Sequence, residues 1–340
     1  MLAPFPILES AILPSPVRHL VTGSHGRELW LKDDSHIHPI YSGNKCRKLA
    51  HLLHLAGQKR ETRVTTFGTA GSHHVLATGL LAQSSGFSVR AFLIPQPWSE
   101  HAEGVLRASV ASDIELIAVD SVAHAVRAVA RLRGSGMLIP PGGSNVCGSL
   151  GYFDAALELA AQVKRGEIPE PDWVVVPFGT GGTAAGLLAG IAAAGLKSKI
   201  LAVSVVKGPG RTWATLWIAK RIVRGLEGGS RVNPSQIVVT TQWLGSGYGL
   251  EFPEGIEATA RASKFDLPLD PSYTAKAFAG AWALLEGRKL SDCVAEKLLM
   301  PKAPEKILYW HTLSTPSQLQ NGEVIIPSSL RSLLRPCPKC

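Results

Sequence analysis

Two hydrophobic rhythms alternate along this chain. Short, nearly continuous apolar runs such as Trp173-Val-Val-Val-Pro-Phe178 are bounded by glycine, proline and charge, the pattern of a strand buried on both faces. Between them lie segments whose apolar residues recur every three or four positions, the pattern of a helix with one buried face. Strands are expected over 28–34, 63–68, 88–95, 114–120, 173–178, 199–206, 236–245 and 306–312. Helices are expected over 44–58 (with Leu49, Leu52 and Leu53 on one face), over 73–85, from His101 and from Ser121. Two more are expected over 151–165 (with Ala155, Leu157, Ala160 and Ala161 inward) and over the small residues 183–194. Strands alternating with helices predict an α/β protein whose parallel sheets are covered on both faces. The Gly/Pro-rich stretch 140–151 reads as a domain seam.

Composition narrows the class. At 340 residues, 45% apolar and 18% charged, the chain buries a large core and reads as two globular domains. No apolar stretch approaches the ~20 residues that span a bilayer, and no secretory signal is read at Met1-Leu-Ala-Pro-Phe-Pro6. A cytoplasmic protein without a membrane partner is expected. The net charge of +9 is spread along the chain, with a mild concentration from Lys207 to Arg231. Without basic residues interleaved with aromatics it predicts no nucleic-acid partner, and it suits an enzyme that holds anions. Five cysteines, widely spaced except Cys337 and Cys340, point to reduced thiols. Cys337-Pro-Lys-Cys340 lacks the second pair a zinc knuckle needs, and His36, His38, His73 and His74 lack a paired spacing, so no metal is expected.

Four segments carry candidate chemistry. Ser42-Gly43-Asn44-Lys45 places a lysine in the first turn of a helix, where the positive end of the macrodipole disfavours its charged form. With burial added, its neutral amine would become a nucleophile or base, and exposure on a basic face with Arg47 and Lys48 is the alternative. Gly179-Thr-Gly-Gly-Thr183 lies between a strand and a helix, where converging N–H groups bind phosphate. It also fits loose dinucleotide spacing through Gly179, Gly181 and Ala184. The next strand carries no acidic residue, which leaves an NADP site with Lys207 or Arg211 on a 2′-phosphate as an alternative. Gly71-Ser72-His73-His74 offers Ser72 as a helix cap or as part of a carboxylate cradle. Tyr248 and Tyr273, at loop–helix junctions, are candidates for proton transfer or carboxylate binding.

In their order along the chain, Gly43-Asn44-Lys45 with Arg47-Lys48-Leu49, Gly71-Ser72-His73-His74, Gly179 to Thr183, and Asp270-Pro-x-Tyr273-Thr274 resemble one family. It is that of D-cysteine desulfhydrase and 1-aminocyclopropane-1-carboxylate deaminase, enzymes dependent on pyridoxal 5′-phosphate with the tryptophan synthase β-subunit fold. The resemblance covers about residues 15 to 313. It implies a fold-type-II enzyme of two open twisted parallel-sheet domains, a large one over 1–48 and 151–340 and a small one over 49–150, expected as a homodimer. It implies that Lys45 holds the cofactor in a Schiff base and removes the substrate α-proton. Asn44, His73, Gly179, Thr180, Gly181, Gly182, Thr183, Thr274 and Thr312 would contact the cofactor, and Ser72, Tyr248 and Tyr273 would serve the substrate. Threonine at 274 and 312, where the deaminase branch usually has glutamate and leucine, points to the desulfhydrase branch. The expected reaction is β-elimination from a small amino acid to an oxo acid, ammonia and sulfide. Ring opening, NADP-dependent oxidoreduction and a non-catalytic ligand-binding relative are the alternatives. Two departures lie beside the cofactor: His73 replaces a usual asparagine, and His311-Thr312-Leu313-Ser314 replaces His-Thr-Gly-Gly.

Overall fold

The structure is a computed structural model, described over residues 6–132, 136–227, 229–245, 249–288, 290, 306–314, 319 and 324–336. It divides into two compact units. The larger is built from residues 12–37 and 144–313, and the smaller from 1–11, 38–143 and 314–340. The helix bearing Lys45 therefore lies in the smaller unit, to which the C-terminal segment also returns. These boundaries differ from the expected breaks at 48 and 150.

The larger unit holds a six-stranded sheet in the order Val17–Thr22, Glu28–Asp33, Lys306–His311, Trp173–Phe178, Lys199–Ser204, Ile237–Thr240. All neighbours are parallel except the first pair, a hairpin with a bulge between His19 and Val21. Trp173–Phe178 is buried along its whole length, as its unbroken apolar run requires. Its alternate residues serve two cores. Val174, Val176 and Phe178 meet Leu187, Ile191, Ile218 and Trp310 on one face. On the other, Trp173 and Val175 pack with Phe278, Leu285 and Tyr309.

Helices Val146–Lys164 and Gly182–Ala194 pack through small residues. A β-carbon at Gly186 would stand 2.2 Å from the Ser149 carbonyl oxygen, so only glycine permits this approach. That packing explains two departures from the sequence pattern. The first helix starts at Val146 rather than 151, because the Asn145 side chain accepts from Gly148 N–H at 2.8 Å and caps it. Its inward residues are Tyr152, Ala155, Ala156, Leu159 and Gln162, whereas Leu157 and Ala161 are exposed.

The smaller unit holds a four-stranded parallel sheet in the order Ile114–Ala118, Ser88–Ile94, Arg63–Thr69, Met137–Leu138. Its helices are Gly43–Gln58, His73–Ser84, Glu100–Ala111 and Val122–Arg131. Leu334–Arg335 pairs in parallel with Gln96–Pro97. Among the described residues no helix is long and apolar enough to cross a membrane.

Candidate active site

In the smaller unit the candidate residues cluster on two helix N-termini. Lys45 lies in the first turn of Gly43–Gln58, and three hydrogen bonds hold the turn before it. Ser42 Oγ accepts from His38 N–H and donates to the His38 carbonyl, both at 2.8 Å, and Ser42 N–H donates to Ser314 Oγ at 2.8 Å. Ser314, one of the departures from the family pattern, thus braces the lysine turn. Lys45 Nζ donates to Asn44 Oδ1 at 2.9 Å. The alternative of an exposed basic face is overturned: Arg47 and Lys48 are both buried, and Lys48 Nζ donates to the Gly142 carbonyl at 2.9 Å. Burial holds the Lys48 amine well below the ordinary lysine range, with the Lys45 charge adding to the shift. Burial likewise depresses His74, followed by the charges of Lys45 and Lys48.

Ser72 occupies the N-cap position of His73–Ser84, yet its hydroxyl makes no capping hydrogen bond. The role a serine ordinarily fills there is left undone. His73, expected to meet the cofactor, has both ring nitrogens engaged within its own unit: Nδ1 lies 2.5 Å from Tyr41 Oη and Nε2 2.7 Å from His101 Nε2.

In the larger unit, Gly179-Thr-Gly-Gly-Thr183 links the buried strand to Gly182–Ala194, whose first turn carries no acidic residue. Gly181 takes φ +89°, which an L side chain rarely adopts. Polar groups converge on the loop. Ser144 Oγ lies 2.6 Å from Thr180 Oγ1 and accepts from Gly182 N–H at 3.2 Å. Arg211 braces it from behind, donating to the carbonyls of Phe178 at 3.1 Å and Gly179 at 2.9 Å, to Ser204 Oγ at 2.7 Å and to the Val206 carbonyl. A guanidinium spent on the main chain is not a 2′-phosphate receptor, and the dinucleotide alternative loses its main support. The glycine cradle, the helix N-terminus and the cation behind them fit a phosphate monoester.

Tyr273 closes on the same loop. A β-carbon on Gly179 would lie 3.3 Å from its ring carbon Cε1. Asp270 organises the turn that carries it, accepting from the N–H groups of Ser272 (2.9 Å), Tyr273 (2.8 Å) and Thr274 (3.1 Å). Thr274 Oγ1 donates to Asp270 Oδ2 at 2.6 Å and accepts from Asp270 N–H at 2.6 Å. The sole hydroxyl proton of Thr274 is therefore committed to a carboxylate. Thr312 ends the strand Lys306–His311, and no hydrogen bond of its hydroxyl is found among the described residues. Tyr309, within that strand, is buried, which pushes its phenol well above the ordinary range; Asp270 and Asp33 add to this. Tyr248 lies outside the described residues.

Sequence reasoning missed Ser144, Tyr41, His101 and Asp270 as partners, and read Arg211 as a possible ligand. The contacts of Ser144, Tyr41 and His101 join positions tens of residues apart, which no local spacing encodes; those of Asp270 are local, within its own Asp-Pro-x-Tyr-Thr turn.

Comparison with known proteins agrees with this chemistry. The family described as "Pyridoxal-phosphate dependent enzyme" matches residues 8–295. A Thermotoga maritima protein named "Putative 1-aminocyclopropane-1-carboxylate deaminase" is 31% identical over 290 residues, 80% of this chain and 89% of that protein. A Nocardia uniformis nocardicin C-9′ epimerase is 36% identical over 330 residues, 93% of this chain and 94% of the relative. The crystal structure of an ACC deaminase homologue superposes with a TM-score of 0.75 at 27% identity, covering 98% of each chain. The chain belongs to the pyridoxal-phosphate dependent enzymes, of the tryptophan synthase β-subunit fold.

Proposed function

We propose that the protein removes the α-proton of a small amino acid and expels its β-substituent, releasing an oxo acid and ammonia, with sulfide as co-product from D-cysteine. In this reading Lys45 holds the cofactor and the Gly179–Thr183 loop binds its phosphate. Once bound, pyridoxal phosphate supplies an electron sink next to the substrate α-carbon. With the cofactor bound, Lys45 Nζ would take the substrate α-proton. The uncommitted Ser72 hydroxyl and the first N–H groups of His73–Ser84 hold the substrate carboxylate. Tyr273, anchored by Asp270, borders the phosphate loop. His73, which the resemblance puts beside the cofactor, has both ring nitrogens engaged by Tyr41 and His101.

The observation that carries the choice of elimination over ring opening is the pair of threonines. The Thr274 hydroxyl already donates to Asp270, so Thr312 would be the neutral donor left for the pyridine nitrogen. A neutral partner leaves that nitrogen unprotonated and the sink weak, which suffices for a good leaving group. Opening a carbon ring asks for more. Purified holoenzyme given D-cysteine should release pyruvate and sulfide, and Lys45→Ala should abolish both. Faster turnover of 1-aminocyclopropane-1-carboxylate to a four-carbon oxo acid would overturn the assignment.

A second reading, epimerisation at an α-carbon, is favoured by the Nocardia relative, which covers more of the chain at higher identity than the Thermotoga protein. Chiral chromatography of amino acids recovered after incubation separates it from elimination.

A further inference from the structure

The loop that carries Ser72 is held through three successive N–H groups, and only one of them meets a side chain. Ala70 N–H donates to the Ile94 carbonyl and Ser72 N–H to the Thr69 carbonyl, both at 3.0 Å. Gly71 N–H, between them, donates to Gln96 Oε1 at 3.0 Å. Both Gly71 and Gln96 are buried, the glutamine at 7% exposure. In a carboxamide only the oxygen accepts, so this contact fixes which way the Gln96 side chain faces. The helix Glu100–Ala111 presses on the same glycine, since a β-carbon at Gly71 would stand 2.6 Å from Ala102 Cα. Gly71 is therefore pinned by Gln96 and Ala102, and Ser72 follows it directly.

Gln96 is held in turn by the C-terminal segment. Its N–H donates to the Leu333 carbonyl at 2.9 Å, and Trp98 N–H donates to the Arg335 carbonyl at 2.7 Å, with Leu334 in parallel register opposite Gln96. Ile326, Leu330 and Leu333 are buried and anchor the segment. Glu103 adds a polar tie: its Oε2 accepts from Trp98 Nε1 at 2.7 Å, and its Oε1 lies 3.3 Å from Arg331 Nη2. The main chain on both sides of the Gln96 side chain is thus fixed by residues 326–335, all within the smaller unit.

We propose that Gln96 is a positioning residue for the substrate carboxylate and that the C-terminal segment sets its place. The segment holds the Gln96 main chain, the Gln96 carboxamide holds Gly71 N–H, and Gly71 fixes where the Ser72 hydroxyl and the first N–H groups of His73–Ser84 stand. This rests on the reading of Ser72 as part of the carboxylate cradle. Donors that recognise a carboxylate lose affinity steeply when they are misplaced, and the groups behind them set that placement. The effect falls on substrate affinity rather than on cofactor binding, because the series of contacts ends at Ser72 and not at Lys45 or the Gly179–Thr183 loop.

Glycine and glycinamide, which differ in the carboxylate, are the probes. Each is titrated into protein loaded with pyridoxal phosphate, and the change in cofactor absorbance gives its apparent Kd. Gln96→Leu keeps the bulk and removes the acceptor. It should weaken glycine roughly tenfold and leave the affinities for glycinamide and pyridoxal phosphate unchanged. Ser72→Ala should lower the same glycine-to-glycinamide preference. So should a chain ending at residue 325, with a synthetic peptide of residues 326–340 restoring it; where that chain fails to fold, Leu333→Ala loosens the segment and carries the test. A preference unchanged in Gln96→Leu but lowered in Ser72→Ala would overturn the positioning role and leave the cradle standing. A preference unchanged in both would overturn the cradle as well. Equal losses for the two probes in Gln96→Leu would mark a general loosening and also overturn the role, and an unchanged preference in the segment variants would overturn the part given to the C-terminus. A second readout needs no cofactor. Amide hydrogen exchange should find Gly71 N–H protected in the wild type and fast in Gln96→Leu, and fast exchange in the wild type would contradict the proposal.

Discussion

Gly181→Ala tests how tightly the phosphate loop is built. The residue sits at φ +89°, and an added β-carbon would lie 2.2 Å from Thr215 Oγ1, far inside contact distance. Two costs add. The left-handed conformation costs an alanine about 1–2 kcal/mol, and forcing a methyl into packed surroundings costs about 1–3 kcal/mol more. The sum is about 2–5 kcal/mol, read as a change in urea midpoint at constant slope. Thr215 is fully buried, and its hydroxyl has no hydrogen-bond partner among the described residues. Thr215→Ala therefore gives up no bond and is expected to be nearly neutral. In the double variant the clash is gone and only the backbone term remains, so Gly181→Ala should then cost about 1–2 kcal/mol. The resulting coupling of about 1–3 kcal/mol is the signature of direct contact. Titration with pyridoxal phosphate, followed by absorbance, should show binding weakened about tenfold or more in the single variant and partly restored in the double. Equal stability of Gly181→Ala and wild type, or zero coupling to Thr215→Ala, would refute the reasoning.

Asp270→Ala removes an acceptor that serves three N–H groups and the Thr274 hydroxyl. It should cost about 3 kcal/mol, which lowers Tm by roughly 6–12 °C in calorimetry; Asp270→Asn should fall between. Lys32 is buried with its Nζ 2.6 Å from Glu158 Oε1 and 2.6 Å from Gln162 Oε1. Lys32→Ala strands Glu158 and should cost about 3–5 kcal/mol in urea unfolding, most of it recovered when Lys32→Met is combined with Glu158→Leu. Burial lowers the Lys276 amine to about 8, so above that pH the unfolded chain holds a proton that the native protein does not. Wild-type stability should rise with pH through this range, and Lys276→Met should flatten that part of the profile.

The sequence disclosed most where chemistry is local. Trp173–Phe178 is an unbroken apolar run and emerged with its expected bounds, because a strand buried on both faces leaves no ambiguity of period. The phosphate loop was equally legible, since glycines between a strand and a helix have few other uses. Strand ends were less so: the expected 236–245 shrank to Ile237–Thr240, where pairing with the neighbouring strand stops. The stretch 140–151 read as a seam because small residues disfavour a helix in isolation. The boundary between the two units does fall within it, between residues 143 and 144, while the Asn145 cap and the close approach at Gly186 carry the helix back to Val146. The hairpin strand Val17–Thr22 and the helices Arg211–Arg224 and Pro253–Ala262 were not read at all, and Thr274–Leu285 only as the helix that Tyr273 borders. Within the site, Lys45, Ser72, Tyr273 and the glycine loop were visible as residues, but their partners were not. That Thr274 spends its proton on Asp270, that Arg211 braces carbonyls and that His73 joins Tyr41 to His101 are facts of distance, settled by the fold.

The central claim is that Lys45 carries the cofactor. Borohydride reduction of the protein loaded with pyridoxal phosphate, followed by digestion and peptide mass spectrometry, reads this directly. The account predicts a phosphopyridoxyl group on the peptide containing Lys45, absent from Lys45→Ala. Labelling at another lysine, or an equal yield in the variant, would contradict it.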